Sequence, residues 1–226
     1  MSKNHLHPVL LHRNLILTLN FAKPQTSPAT LARTLNNQTM ANFIQFANEL
    51  SKPDKQATDE LTNKLHTKTF QKGAYLLKNG EQCRKIFFIY NGLAKTYFNG
   101  QDKEFIMKFF PENSMFTVLD SYIQQTVSNY MILALETTTI TYIYKSDLEE
   151  LCTKHHSIET FSRKLVSYAS INMMKRISEM LEENATERYN HFVKEHSQLL
   201  QRISLGDLAN YLGITQVSLS RIRAKK

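Results

Sequence analysis

A chain of 226 residues with 42% hydrophobic and 21% charged side chains has an ordinary globular composition, with length enough for one large core or two modest ones. Its two cysteines, Cys83 and Cys152, stand far apart, which excludes a disulfide framework, a four-cysteine zinc site and an all-cysteine iron–sulfur centre. No stretch approaches the roughly 18 to 20 uninterrupted apolar residues of a membrane helix, so a cytoplasmic protein without a membrane partner is expected.

The net charge of +8 is unevenly spread. Residues 1–39 hold Lys3, Arg13, Lys23 and Arg33 and no acid, the middle is nearly balanced, and the last 25 residues hold Arg202, Arg221, Arg223, Lys225 and Lys226 against Asp207 alone. A basic tip on a nearly neutral body suits a phosphate backbone, and a solvated basic tail has the same signature.

In chain order, residues 1–39 are rich in Thr, Asn, Gln and Pro without sustained period, and are expected to be a disordered extension with at most one short helix. Met40 is a candidate natural start, and an acid-free leader also has the composition of a transit peptide. Beyond it, Phe43, Phe46, Ala47 and Leu50 recur at helical spacing, followed by Leu61 and Leu65. From 69 to 145 the period falls to two. Asn79-Gly80, Asn91-Gly92 and Asn99-Gly100 supply hairpin-type turns around "KIFFIY", "LAKTYF" and "EFIMKFF", and "YMILALE" and "TITYIYK" follow. At least six short strands between 69 and 145 predict a rolled or barrel-like antiparallel sheet, in a domain expected over residues 40–145.

Residues 146–184 are expected to be linking helices. Ser146 is placed to cap "DLEELCTKHH", and an uninterrupted helix of about 27 residues, some 40 Å long, follows from Ser157. Phe161 and Leu165 lead into a stripe of Val166, Ala169, Met173, Ile177 and Met180. A stripe on so long a helix can cover its own sheet, or pair with a second copy across a two-fold axis, and it is read as a dimerisation face.

Residues 185–226 contain "SLGDLANYLGITQVSLSRIR" at 204–223, three residues from their end. Ser204 and Asp207 form a helix start signal, Leu205, Leu208, Ala209 and Leu212 its buried face, and Gly213 an αL stop. Thr215 caps a second helix anchored by Leu219 and Ile222, which makes a helix-turn-helix. Its outer face would present Gln216, Val217, Ser220 and Arg221. Arg221 can bond guanine in bidentate fashion and Gln216 adenine, while Thr215, Ser218, Arg223 and Lys225 suit phosphates. The rival reading is a ligand-binding or protein-interaction module with a structural terminal hairpin. Such a hairpin has no need of a polar, net-basic outer face. An enzyme is not expected: no P-loop, G-x-S-x-G or H-E-x-x-H occurs, and His66, His155 and His156 are read as ordinary rather than metal-ligating.

The stretches "LLKNGEQCRKIFFIYNGLAKTYF", "FIMKFFPENSMF" and "ATERYNHFVKEHSQLLQRISLGDLANYLGITQVSLSRIR" resemble the Crp/Fnr superfamily of bacterial transcription regulators, in particular its divergent Bacteroidetes branch. The resemblance spans about residues 40–226. It implies an α+β protein: a cyclic-nucleotide-binding-like β-roll with turn glycines at Gly80 and Gly92, a long dimerisation helix, and a helix-turn-helix; many relatives continue into a C-terminal β-hairpin wing, which is not expected here because the sequence ends at Lys226. It also implies a homodimer on a two-fold site in double-stranded DNA, with RNA polymerase as a further partner. Members that bind cyclic nucleotides carry a Gly-Glu pair and an Arg in a stretch that here reads "MFTVLDSYIQQTVSNYMILALE", without Gly, Arg or Lys. A buried cyclic phosphate would lack its charge partner there, so no cofactor is expected and the effector is unassigned. Val217 stands where relatives commonly have a cytosine-reading Glu, which implies a shifted target.

Overall fold

The computed structural model describes residues 28–101 and 103–224. Its first element is helix α1 (Pro28–Ser51), which starts on a proline, a residue suited to the first helical turn, and contains no other Pro and no Gly. The disorder expected for residues 1–39 is therefore corrected for 28–39, which continue the helix upstream of Met40; residues 1–27 lie outside the described residues. Thr39 is fully buried and its hydroxyl lies 2.9 Å from that of Thr67. Helix α2 (Lys55–Asn63) follows, capped by the Asp54 carboxylate, which accepts from the Ala57 N–H at 2.8 Å.

Eight strands form the roll: β1 (His66–Phe70), β2 (Tyr75–Leu77), β3 (Lys85–Asn91), β4 (Ala94–Asn99), β5 (Glu104–Phe110), β6 (Met115–Phe116), β7 (Met131–Ala134) and β8 (Thr138–Tyr144), with helix α3 (Leu119–Gln124) between β6 and β7. They make two antiparallel four-stranded sheets, ordered β1-β8-β3-β6 and β2-β7-β4-β5. Asn99-Gly100 closes the β4–β5 hairpin, where Asn99 faces Glu104. Asn91-Gly92 does something else. β3 and β4 belong to different sheets, so this pair turns the chain from one sheet to the other rather than closing a hairpin.

Gly92 has φ +106°, and a Cβ built on it would lie 2.7 Å from the Thr137 carbonyl oxygen and the Thr138 Cα. Gly92→Ala is expected to cost about 3 kcal/mol or more, because both the left-handed backbone and the close approach oppose a side chain. A urea midpoint within error of wild type would refute this.

Strand β3 reads as a nearly continuous apolar run because it is covered on both faces, whereas the edge strand β1 is polar and largely exposed. In β3, Phe87 and Ile89 face inward, toward Leu77, Ile132 and Ile140. Ile86 and Phe88 face outward, under α1 and the helices after the roll. Inside the roll the rings of Phe110 and Phe116 stack 3.9 Å apart, with Phe87 beyond them.

Helix α4 (Lys145–Lys154) starts two residues earlier than expected. Tyr144 occupies its N-cap without a side-chain bond, so Ser146 does not cap it. Helix α5 (His156–Glu182) has the expected 27 residues. Its first two turns bury Ile158, Phe161 and Leu165 against Phe43 and Phe88. Helix α6 (Ala185–His196) opens with a capping box of Asn184 and Glu187, and a 3-10 turn (Ser197–Leu199) leads to α7 (Leu205–Leu212) and α8 (Gln216–Ala224). Leu208, Ala209, Leu212 and Leu219 share a core with Leu93, Tyr97, Ile106, Phe109 and Met131, so the terminal helices sit on the outer face of the β2-β7-β4-β5 sheet. Among the described residues no helix is long and apolar enough to cross a membrane.

Candidate nucleic-acid interface

The terminal motif folds as its caps dictate. The Ser204 hydroxyl accepts from the Asp207 N–H at 2.9 Å, which starts α7. Gly213 ends it with φ +71°, and the next N–H, of Ile214, bonds back to the Ala209 carbonyl at 3.0 Å. Thr215 then starts α8 by accepting from the Ser218 N–H at 3.1 Å, and the two hydroxyls lie 3.0 Å apart. Leu219 is fully buried and Ile222 half-buried, which fixes the rotation of α8 about its axis.

Opposite this anchor the predicted residues come together. Thr215, Gln216, Val217, Ser220, Arg221 and Arg223 are all exposed on or at the start of α8, while Ser218 is half-buried in the cap. Lys225 lies outside the described residues. Leu205 departs from expectation: it is 51% exposed instead of buried, beside the exposed Val217. The outer face thus carries amide, hydroxyl and guanidinium groups flanked by a small apolar rim.

Two residues of the basic tip are not available to a partner. Arg202 bonds Glu112 through both terminal nitrogens, at 2.8 and 2.9 Å, and Glu136 at 2.5 Å. Glu112 also accepts from the Gly92 N–H at 2.9 Å, which ties the arginine to the turn between the sheets. Asp207 pairs with Lys95 of β4 at 2.7 Å, and Glu104 takes the same ammonium at 2.9 Å. Burial opposes ionisation of both partners. The carboxylate bonds still raise the Lys95 pKa, and the bonds from Lys95 and Ser204 lower that of Asp207. These six residues join the helical domain to the roll. The sequence offered no sign of the pairing, because Lys95 and Asp207 are 112 positions apart.

The stripe on α5 divides. Phe161 and Leu165 belong to the core of their own protomer and are withdrawn as dimer contacts: Phe161 packs edge-on against Phe43. Val166 and Ala169 are half-buried, and Met180 reaches the Gly213 corner. Met173 and Ile177 are exposed, together with residues the sequence reading passed over: Ile171 at 61%, Met174 at 65% and Leu181 at 81%. Ser167, Ser170, Met174, Ile177 and Leu181 step by 3, 4, 3 and 4 on the side away from Phe161 and Leu165, a heptad-like seam.

At the joint between α5 and α6, His191 lies 3.1 Å from Glu183 and 2.9 Å from Glu195. Bonds to Glu183 and then Glu195 raise its pKa above the usual 6.5, against a smaller burial effect. Its charged form therefore stabilises the joint fully below the unfolded value, and that contribution is lost as pH rises through the higher folded value. The Tm difference between wild type and His191→Gln should shrink as pH rises from below the unfolded value of 6.5 through the higher folded value; a difference that does not change with pH would refute the assignment. His196, held below its usual pKa by burial, titrates in the opposite sense and stays present in both proteins. Among the described residues the other histidines are scattered: His66 stacks on Tyr142, His155 faces Glu60 at 3.1 Å, and His156 is exposed.

Residues 67–155 match the cyclic nucleotide-binding domain family. No curated protein matches the chain by sequence. Among solved structures, FixK2 from Bradyrhizobium japonicum superimposes with a TM-score of 0.64 at 16% identity, over 71% of this chain and 83% of that one. A Crp/Fnr-family transcriptional regulator from Eubacterium rectale gives 0.62 at 16% identity, over 76% and 82%. The c-di-GMP-responsive regulator CLP of Xanthomonas campestris gives 0.59 at 13%, over 76% and 91%. The match to the cyclic nucleotide-binding domain family is thus confined to residues 67–155, and over about three quarters of its length the chain shares the fold of these solved structures.

Proposed function

We propose that the protein is a DNA-binding transcription regulator of the Crp/Fnr type, acting as a homodimer on a two-fold site. The observation that carries this is the outer face of α8. Leu219 and Ile222 account for the packing of that helix, and nothing in the packing calls for Gln216, Ser220, Arg221 and Arg223 to stand together in solvent. A helix anchored on one side, with an amide in its first turn and a guanidinium in its last turn on the solvent side, has the dimensions and chemistry of a major-groove reader. Val217, with no polar group, contributes only apolar contact, such as to a thymine methyl.

The homodimer rests on the exposed seam of α5. Ser167 and Ser170 donate to their own helix, to the carbonyls of Arg163 and Val166, so both hydroxyls are satisfied when a second helix covers them. Cyclic nucleotide binding in the family's usual manner is not part of the proposal. Residues 115–136 bring no cation, and Lys145, which reaches α3, is engaged by the Ile123 carbonyl and Glu149.

The test is Arg221→Ala. With two copies of the contact per site, affinity for a selected sequence should fall about 30-fold or more, with unfolding unchanged. Wild-type binding should weaken steeply with salt. Equal affinity in the variant would remove Arg221 from the reading surface.

A further inference from the structure

Gly206 is the second residue of α7, and glycine is a poorer helix former than alanine. Gly206 is not among the glycines with positive φ, so its backbone does not demand it. Nor does packing against the main chain: the three atoms nearest to a Cβ built at Gly206, its own neighbours and helix aside, all belong to side chains. They are the Ser204 hydroxyl oxygen at 3.6 Å and two atoms of the Gln216 amide, Nε2 at 3.0 Å and Cδ at 3.9 Å. The Gln216 side chain, from the first turn of α8, therefore rests across the start of α7 in the space that the missing methyl leaves. Exposed Leu205 and Val217 flank it.

We propose that Gly206 is a specificity-determining residue of the reading head: it seats the Gln216 amide and so sets which base that amide meets. The inference rests on the reading of α8 as a DNA reader. An amide held at one end of its travel presents its donor and acceptor in a single register to a base edge, whereas a displaced amide samples several. The contact is at the tip of a flexible side chain, so an added methyl moves the glutamine and not the fold. Stability and specificity should therefore separate, which they would not at a merely structural glycine.

The experiment compares sequences selected from random double-stranded DNA by wild type, Gly206→Ala, Gln216→Ala and the double variant, with thermal unfolding of each. Gly206→Ala should unfold at the wild-type temperature or above, and its salt-dependent binding to unselected DNA should be unchanged. At one base position per half-site, wild-type discrimination of about 5- to 150-fold should fall severalfold. Gln216→Ala should lose preference at the same position, and the double variant should lose no more than Gln216→Ala alone. If wild type selects a sequence and Gly206→Ala selects the same one with equal preference, the proposal is overturned while the DNA-reading function stands. If wild type selects no sequence, the DNA-reading function itself is overturned, and this proposal with it.

Discussion

Glutamate at both Met174 and Leu181 is expected to yield a monomer whose affinity for a two-fold DNA site is lower by roughly 10²- to 10⁴-fold, because the second reading head no longer binds at high effective concentration. Both side chains stand mostly in solvent, at 65% and 81% exposure, so the change removes little from the protomer's own core. The unfolding free energy of the monomer itself should move by no more than about 0.5 kcal/mol. In the dimer, four carboxylates would face one another across the seam of Ser167, Ser170, Met174, Ile177 and Leu181, a juxtaposition that costs far more than the apolar contact it replaces. Light scattering gives the mass and a titration with the selected site gives the affinity. A dimer that survives both glutamates would place the interface elsewhere. A monomer with undiminished affinity would mean that one head suffices.

That seam was only partly legible in the sequence, and the reason is physical. Helix α5 carries two apolar faces: Ile158, Phe161 and Leu165 close its own core, and Met174, Ile177 and Leu181 lie outward further along. Read as one stripe, the two merge along a line that starts in the core and drifts toward the exterior. Only the roll and the folded α1 reveal which residues are already covered. In the terminal motif the caps and the stop were legible because they act locally, whereas Ser146 lies inside α4 and does not cap it. Ser204, Gly213 and Thr215 do what their chemistry requires within three or four residues. Asn91-Gly92 was misjudged for the opposite reason: a tight turn is visible locally, but the sheet to which the next strand pairs is not. The ionic contacts between α7 and the roll were the least legible, since no local pattern marks a lysine in a strand as the partner of a helix acid far along the chain.

Those contacts set the second large effect. Asp207→Ala is expected to destabilise the docked terminal domain by about 3 kcal/mol or more, because it leaves the Lys95 ammonium, 6% exposed, with Glu104 as its one remaining carboxylate. The helix start does not account for so large a loss. Ser204 caps through the Asp207 backbone N–H, which the variant keeps, and an N-cap bond is worth only about 1 kcal/mol. Lys95→Met with Asp207→Leu removes both buried charges and should recover most of the loss, since an ion pair exchanged for packed apolar groups is often neutral. The sign with pH follows from the lowered pKa of Asp207. Its contribution is present above its unfolded value near 4 and vanishes as pH falls through the lower folded value. Urea unfolding gives the free energies, and hydrogen exchange in α7 locates them. If the pair is the latch, protection in α7 should fall in Asp207→Ala while β3 and β8 stay protected, because the terminal helices can leave the outer sheet without opening the roll. Equal stability of wild type and Asp207→Ala would mean that the shared core of Leu208, Leu212 and Phe109 holds the reading head in place unaided.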